Sequence, residues 1–363
     1  MANTTAPISD MSPLTGLRVL DFSHVIAGPF ATLYLAQLGA DVTKVEKPDG
    51  GDVMRTSPTG AYQFAAFNAG KKCIDLDLKS AEGRSEALRI AQACDVLVDN
   101  FRPGALERAG LGYAAVKAIN PTVIYCSISG YGTHHAPWKH RGAYDHVIQA
   151  ATGMAMMSGN EGEPPIKVGF PVIDVMTGVL AAFAITAAVQ ERSRTGQGRH
   201  VDISMWGAAL QLMYPFSVSA LATGKSPGRV GNVGYSGSPA AEYFETLDGY
   251  IGLGANTPYQ IGKLFPLLGL RAADAAQHLE SGPGFARARD PKAFHDLLAG
   301  VLMARTATQW EELLNAAGIP AARVRSLAEF TNEALASGAL NPGVLSMGNI
   351  QMPTPGMGWT TTP

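Results

Sequence analysis

The sequence predicts an α/β protein: a parallel sheet covered by helices on both faces, followed by a second, smaller unit. Three observations carry that expectation. Short β-type runs alternate with apolar helical patterns between Arg18 and Ile128. Polar, glycine-rich segments (Ser23–Pro29, Asn100–Gly104, Ser129–Thr133) follow strand ends, where open parallel sheets bind their ligands. The length, 363 residues with 46% apolar and 16% charged side chains, is enough for about two domains with a sizeable core.

Taken in order, Arg18–Phe22 reads as the first strand. Gly28-Pro29 opens a helix through Phe30, Leu33, Leu35 and Leu38 that stops at Gly39, and Asp41–Glu46 closes a β–α–β unit. Lys72–Asp77 is a strand before a helix over Ser80–Ala93; Asp95–Asp99 and Val123–Ile128 are further strands. Long apolar helices are expected over Val175–Arg192 and Met205–Thr223. A turn-rich connection, Gly224–Pro239, leads to a compact unit over about Glu242–Arg325. There, Asp248-Gly249 between two β-type runs marks a hairpin. From Leu340 the chain carries several prolines and no closing helix is expected.

Composition removes several function classes. Twenty-eight Lys and Arg against 30 Asp and Glu leave a net charge of -2, so nothing global favours nucleic acid. Cys73, Cys94 and Cys126 are too few and scattered for a disulfide scaffold or zinc knuckle, and read as thiols in a reducing cytoplasm. The N-terminus lacks the basic and apolar regions of a secretory signal. Val168–Val189 is interrupted by Pro171 and Asp174, which reads as a buried helix rather than a membrane span. A soluble, cytoplasmic protein without membrane attachment is expected. No Gly-x-Gly-x-x-Gly follows the first strand and no P-loop lysine motif occurs, against dinucleotide and nucleotide-triphosphate binding.

Three constellations remain for chemistry. His134, His135 and His140 match no zinc spacing and read as solvated loop histidines, so no metal is expected. Asp145 precedes an apolar helical run, and Asp174 precedes the long buried helix. Each is either a helix cap or a functional carboxylate. Asp174 is the one charge between Val168 and Val189. A carboxylate there needs partners or a task, and a helix N-terminus is expected to keep it ionised. An ionised, partly desolvated carboxylate is a competent nucleophile toward an activated acyl group.

Gly16–Pro29, Leu38–Pro48, Gly51-Asp52, Asn68–Lys72, Leu76–Lys79, Asn100–Gly104 and Arg194–Ser204 together resemble the class III CoA-transferases, over nearly the whole chain and in order. This family includes formyl-CoA transferase, carnitine CoA-transferase and α-methylacyl-CoA racemase. The resemblance implies a Rossmann-like large domain (1–225), a small domain with linkers (226–330), a C-terminal segment (331–363) returning toward the large domain, and an interlocked homodimer. It implies coenzyme A or acyl-CoA as substrate, a carboxylic acid as second substrate, and no permanently bound cofactor. Asp174 matches the nucleophilic aspartate. His24 and Val25 match the loop near the CoA thiol. Lys47, Leu76, Lys79, Asn100, Phe101 and Arg108 match positions that hold the nucleotide and pantetheine, whose phosphates call for cations. Asp145, Gly234 and Gly237 are placed around the substrate, the glycine N–H groups as oxyanion donors.

The chain also departs from the family. Ile26 stands where formyl-CoA transferase has Gln, Tyr235 and Ser236 interrupt the glycine loop, and the chain ends before the usual final helix. The racemases have a His immediately before the aspartate matching Asp145, where this chain has Tyr144, an ordinary phenol being a poor base at neutral pH. His146 is expected on a different helix face. CoA transfer is therefore expected, with a racemase or a catalytically silent CoA-binding homologue as the alternatives.

Overall fold

The structure is a computed structural model, describing residues 11–57, 60–133 and 136–360. The chain folds into two compact units. The first takes the chain up to Ser158, Pro165–Pro227 and the chain from Asn341 onward; the second takes Gly159–Pro164 and Gly228–Leu340.

The first unit is organised by six strands: β1 (Arg18–Asp21), β2 (Asp41–Glu46), β3 (Lys72–Asp75), β4 (Val96–Asp99), β5 (Ile124–Ser129) and β6 (Arg199–Ser204). All pair in parallel, in the order β3-β2-β1-β4-β5-β6, which is the strand order of the Rossmann fold. Its helices are α1 (Ala27–Gln37), α2 (Gly60–Asn68), α3 (Ala81–Ala93), α4 (Ala105–Arg108), α5 (Tyr113–Ile119), α6 (Asp145–Ala151), α7 (Val172–Thr195), α8 (Met205–Leu212) and α9 (Tyr214–Thr223). Alternating strand residues feed two cores. Val19, Val42, Val96, Val98, Ile124 and Cys126 face α1 and α7, while Leu20, Val45, Leu97 and Tyr125 face α3 and α5. Chain order reverses between β1 and β4, so the loops after these strands form the crevice where such sheets take ligands.

The second unit holds a three-stranded sheet, β7 (Ala240–Glu245), β8 (Tyr250–Ala255) and β9 (Ala321–Arg323), with α10 (Pro258–Leu267), α11 (Ala272–His278), α12 (Pro291–Leu302), α13 (Ala307–Ala316) and α14 (Leu327–Ala336). β7 and β8 form the hairpin expected at Asp248-Gly249.

Local differences from the sequence reading have physical causes. The helix expected over Met205–Thr223 breaks at Met213, because Pro215 cannot donate into the preceding turn. α7 begins at Val172, which puts Asp174 inside its first turn. β6 is an addition: its apolar residues are only Val201 and Ile203, set between His200, Asp202 and Ser204, too short an alternation to stand out from the chain. The proline-containing end forms an antiparallel hairpin, β10 (Gly343–Met347) and β11 (Ile350–Thr354). Pro353 is tolerated because each strand of a two-stranded sheet is an edge. α7 is long and apolar enough to cross a membrane by length and composition; here it packs on α1 and the sheet. Cys73, Cys94 and Cys126 are free thiols. His140 is exposed, and His134 and His135 lie outside the described residues.

Candidate active site

Asp174 sits in the third position of α7, after Pro171 at the N-cap. It caps nothing. The free N–H groups of this helix end are claimed instead by Asp145, from the first turn of α6. Its Oδ2 accepts from Ile173 N at 2.7 Å and Asp174 N at 3.1 Å. Gln149 Nε2 donates to Asp145 Oδ1 at 2.5 Å, and Gln149 Oε1 accepts from Val168 N at 2.8 Å. Both Asp145 and Gln149 are buried. Asp145 therefore works as a cap, but for a helix 29 residues away in sequence rather than its own.

This arrangement corrects the expectation that the helix end keeps Asp174 ionised. Burial, with the Asp145 carboxylate adding like-charge repulsion, pushes the Asp174 carboxyl up to about 7. Four residues on, Gly178 lies on the same face of α7. A Cβ there would come within 2.8 Å of the Ala27 carbonyl oxygen and 3.0 Å of Phe30 Cβ. Close helix contact thus sets α7, one turn beyond Asp174, against Ala27 at the start of α1, directly after the loop carrying His24 and Val25.

Neither flanking residue of Asp145 enters this arrangement. Tyr144 is 68% exposed and His146 is exposed. Against the expectation of different faces, their rings stack at 6.2 Å with an interplanar angle of 8°.

The loops after β1 and β4 are tied together. His24 N donates to Asn100 Oδ1 at 2.9 Å, and Asn100 Nδ2 donates to the His24 carbonyl at 2.7 Å. The His24 ring lies 5.1 Å from that of Phe101. Burial, aided by the Lys44 charge and opposed by Asp52 and Asp21, holds the imidazole below its ordinary pKa and so favours its neutral form. Its Nδ1 is buried without a hydrogen-bond partner.

Two hollows meet at Phe101. One, of about 210 Å³, is lined by His24, Lys47, Asp52 and Phe101 among others; the second, of about 490 Å³, by Leu78, Lys79, Arg84, Phe101 and Arg108 among others. Exposed Lys47, Lys79 and Arg108 supply cations at their rims, as a nucleotide with phosphate groups requires. Arg84 is a cation the sequence reading missed; its Nη1 reaches the Lys79 carbonyl at 2.6 Å. Leu76 packs with the core on the α3 side of the sheet and is not among the residues lining either hollow.

Gly234 and Gly237 belong to the second unit. Gly234 N donates to the Ala241 carbonyl at 2.6 Å and Gly237 N to the Gly234 carbonyl at 2.8 Å. Both N–H groups expected as oxyanion donors are thus engaged within the turn. Beside them lies an open hollow of about 750 Å³, lined by Tyr235, Ser236, Tyr243 and Asn256 among others. Among the described residues no group of His, Cys, Asp and Glu is placed to hold a metal ion.

The family model of "CoA-transferase family III" matches residues 14–362. The chain belongs to CoA-transferase family III. Among its relatives, succinyl-CoA:glutarate CoA-transferase of Mus musculus is 33% identical over 97% of this chain and 82% of the relative. Acetyl-CoA:oxalate CoA-transferase of Acetobacter aceti is 33% identical over 96% of this chain and 90% of the relative. A solved structure of Rv3272 from Mycobacterium tuberculosis matches with a TM-score of 0.81 and 30% identity, over 97% of this chain and 92% of that one. A CAIB/BAIF family protein from Brucella suis matches with 0.78 and 32%, over 91% and 88%. This family III CoA-transferase is an enzyme acting on CoA thioesters.

Proposed function

We propose that this family III CoA-transferase moves CoA from an acyl-CoA donor to a carboxylic acid through an aspartyl-CoA thioester on Asp174. The observation that carries this reading is a partly desolvated carboxyl, pushed up to about 7, on the first turn of α7, one turn before the point where Gly178 meets the Ala27 carbonyl. The Asp174 carboxylate attacks the donor thioester carbonyl, the C–S bond breaks, and CoA leaves as thiolate beside a mixed anhydride. The thiolate then attacks the aspartyl carbonyl, releasing the donor acid and leaving aspartyl-CoA. The acceptor carboxylate attacks this thioester in turn, and the returning thiolate takes the acceptor acyl group, restoring the Asp174 carboxylate. Each step passes the activation on as an anhydride or a thioester rather than losing it to water.

Relatives named for glutarate, oxalate and mesaconate support short dicarboxylic acids as acceptors to try first. The hollows meeting at Phe101 are where we place the CoA moiety, its phosphates against Lys47, Lys79, Arg84 and Arg108. Incubation with succinyl-CoA and no acceptor is expected to leave a CoA adduct on the peptide containing Asp174, read by mass spectrometry. Asp174→Ala should lose transfer by at least three orders of magnitude while still binding CoA. Near wild-type transfer by that variant overturns the assignment. We further propose a homodimer, supported by apolar side chains left exposed on α7 and α9: Phe183 at 73%, Leu221 at 86%, Tyr214 at 57% and Val218 at 48%.

A further inference from the structure

Val25 has a φ of +67°, a left-handed conformation that a β-branched residue adopts against its steric preference. Something must hold it there. Val25 N lies 3.2 Å from each carboxylate oxygen of Asp52. Asp52 is buried and pairs with Lys44 Nζ at 3.1 Å, and Lys44 has no side-chain exposure. Lys44 Nζ also donates to the Ser23 carbonyl at 2.6 Å. The ion pair therefore grips the backbone on either side of His24, while Asn100 grips His24 itself. Asp52 is fixed in its turn: Oδ1 accepts from Met54 N at 3.0 Å, and its own N–H donates to Glu46 Oε1 at 2.8 Å. Glu46 is held by Arg55 through Nε at 2.9 Å and Nη2 at 2.6 Å.

A buried ion pair is a weak source of stability, because desolvation of both charges offsets their attraction. What this one secures is geometry. The gripped loop lines the same hollow as Lys47 and Phe101 and runs directly into α1, whose Ala27 carbonyl abuts α7 one turn beyond Asp174. We propose that Asp52 is a positioning residue of the transfer reaction: with Lys44 it holds Val25 in the left-handed conformation and so sets the loop of residues 23–26 against Asp174. This rests on the reading that CoA is transferred through Asp174.

The test is a double-mutant cycle on the full-length enzyme, with kcat and CoA affinity measured separately. Asp52→Ala is expected to lower kcat at least tenfold, a larger factor than its effect on the Kd for CoA, because Asn100 still holds His24. Val25→Gly removes the steric resistance to positive φ. In the Val25→Gly background, Asp52→Ala is therefore expected to cost less than threefold, a non-additivity that general destabilisation does not produce. Asp52→Asn keeps an acceptor without the charge and carries the same test if the alanine variant does not fold; its kcat is expected to fall between the two. Hydrogen exchange of the peptide containing Val25 should speed up in both Asp52 variants. A folded Asp52 variant with kcat within twofold of wild type, or an equal loss in the Val25→Gly background, overturns the positioning role alone. Failure of the wild-type enzyme to form the Asp174 adduct overturns the proposed function and the positioning role with it, while the hydrogen-exchange result at Val25 stands apart.

Discussion

At the level of single residues, the pairing of Asp145 with the end of α7 has a consequence for pH dependence. In the proposed reaction Asp174 must be ionised to attack, and its carboxyl is pushed up to about 7. Activity on the donor, measured as kcat/KM, should therefore rise with pH through a limb near 7 and level off above it. Asp145→Asn removes the like charge, which lowers the Asp174 pKa and moves that limb to lower pH. The same change weakens the cap on α7, at a cost of about 1 kcal/mol in unfolding free energy. A pH–rate profile of the two enzymes with one donor checks this; an unmoved limb means that the Asp145 charge does not act on Asp174. Beside the buried Asp145, Tyr144 and His146 are exposed and their rings stack.

At the level of elements, α1 and α7 are brought together by small residues. Gly178 meets the Ala27 carbonyl, Ala31 and Ala181 are fully buried between the helices and the sheet, and Gly28 leaves room for Ser23, whose Cβ would lie 2.2 Å from an added Cβ. Gly178→Val should therefore force the helices apart. A destabilisation of roughly 1–3 kcal/mol is expected from overpacking against a backbone carbonyl, with kcat falling more than CoA affinity because Asp174 sits on the displaced turn. Thermal unfolding together with CoA titration checks both parts. Wild-type melting and turnover would show that the contact is not tight.

For the whole molecule, the crevice between β1 and β4 follows from strand order, and the loops after those two strands carry His24, Val25, Asn100 and Phe101. α7 and α9 leave Phe183, Tyr214, Val218 and Leu221 exposed, side chains that a second copy of the chain would cover in the proposed homodimer. Light scattering at micromolar concentration is expected to give twice the 38.1 kDa chain mass, unchanged on dilution. A monomeric mass would refute the dimer proposed here.

Much of the fold was legible in the chain itself. Short β-type runs between helical patterns marked β1, β2, β4 and β5, and the Asp248-Gly249 hairpin marked itself by turn chemistry, because these signals are local. Asp174 was legible as a lone charge at the edge of an apolar helix, and family resemblance supplied the positions we propose for CoA. Other features required three dimensions. Asp145 looked like a cap for its own helix, and its real partner lies 29 residues on. Lys44 interrupts a buried strand, a visible irregularity, but its pairing with Asp52 and the resulting hold on Val25 depend on a turn that no periodicity encodes. The rise in the Asp174 pKa likewise belongs to the folded chain, since it comes from burial and from a charge brought near by packing. Local pattern determines which segments become strands and helices. Which backbone N–H each buried carboxylate satisfies is decided when those segments pack, because only then is water removed and a partner required.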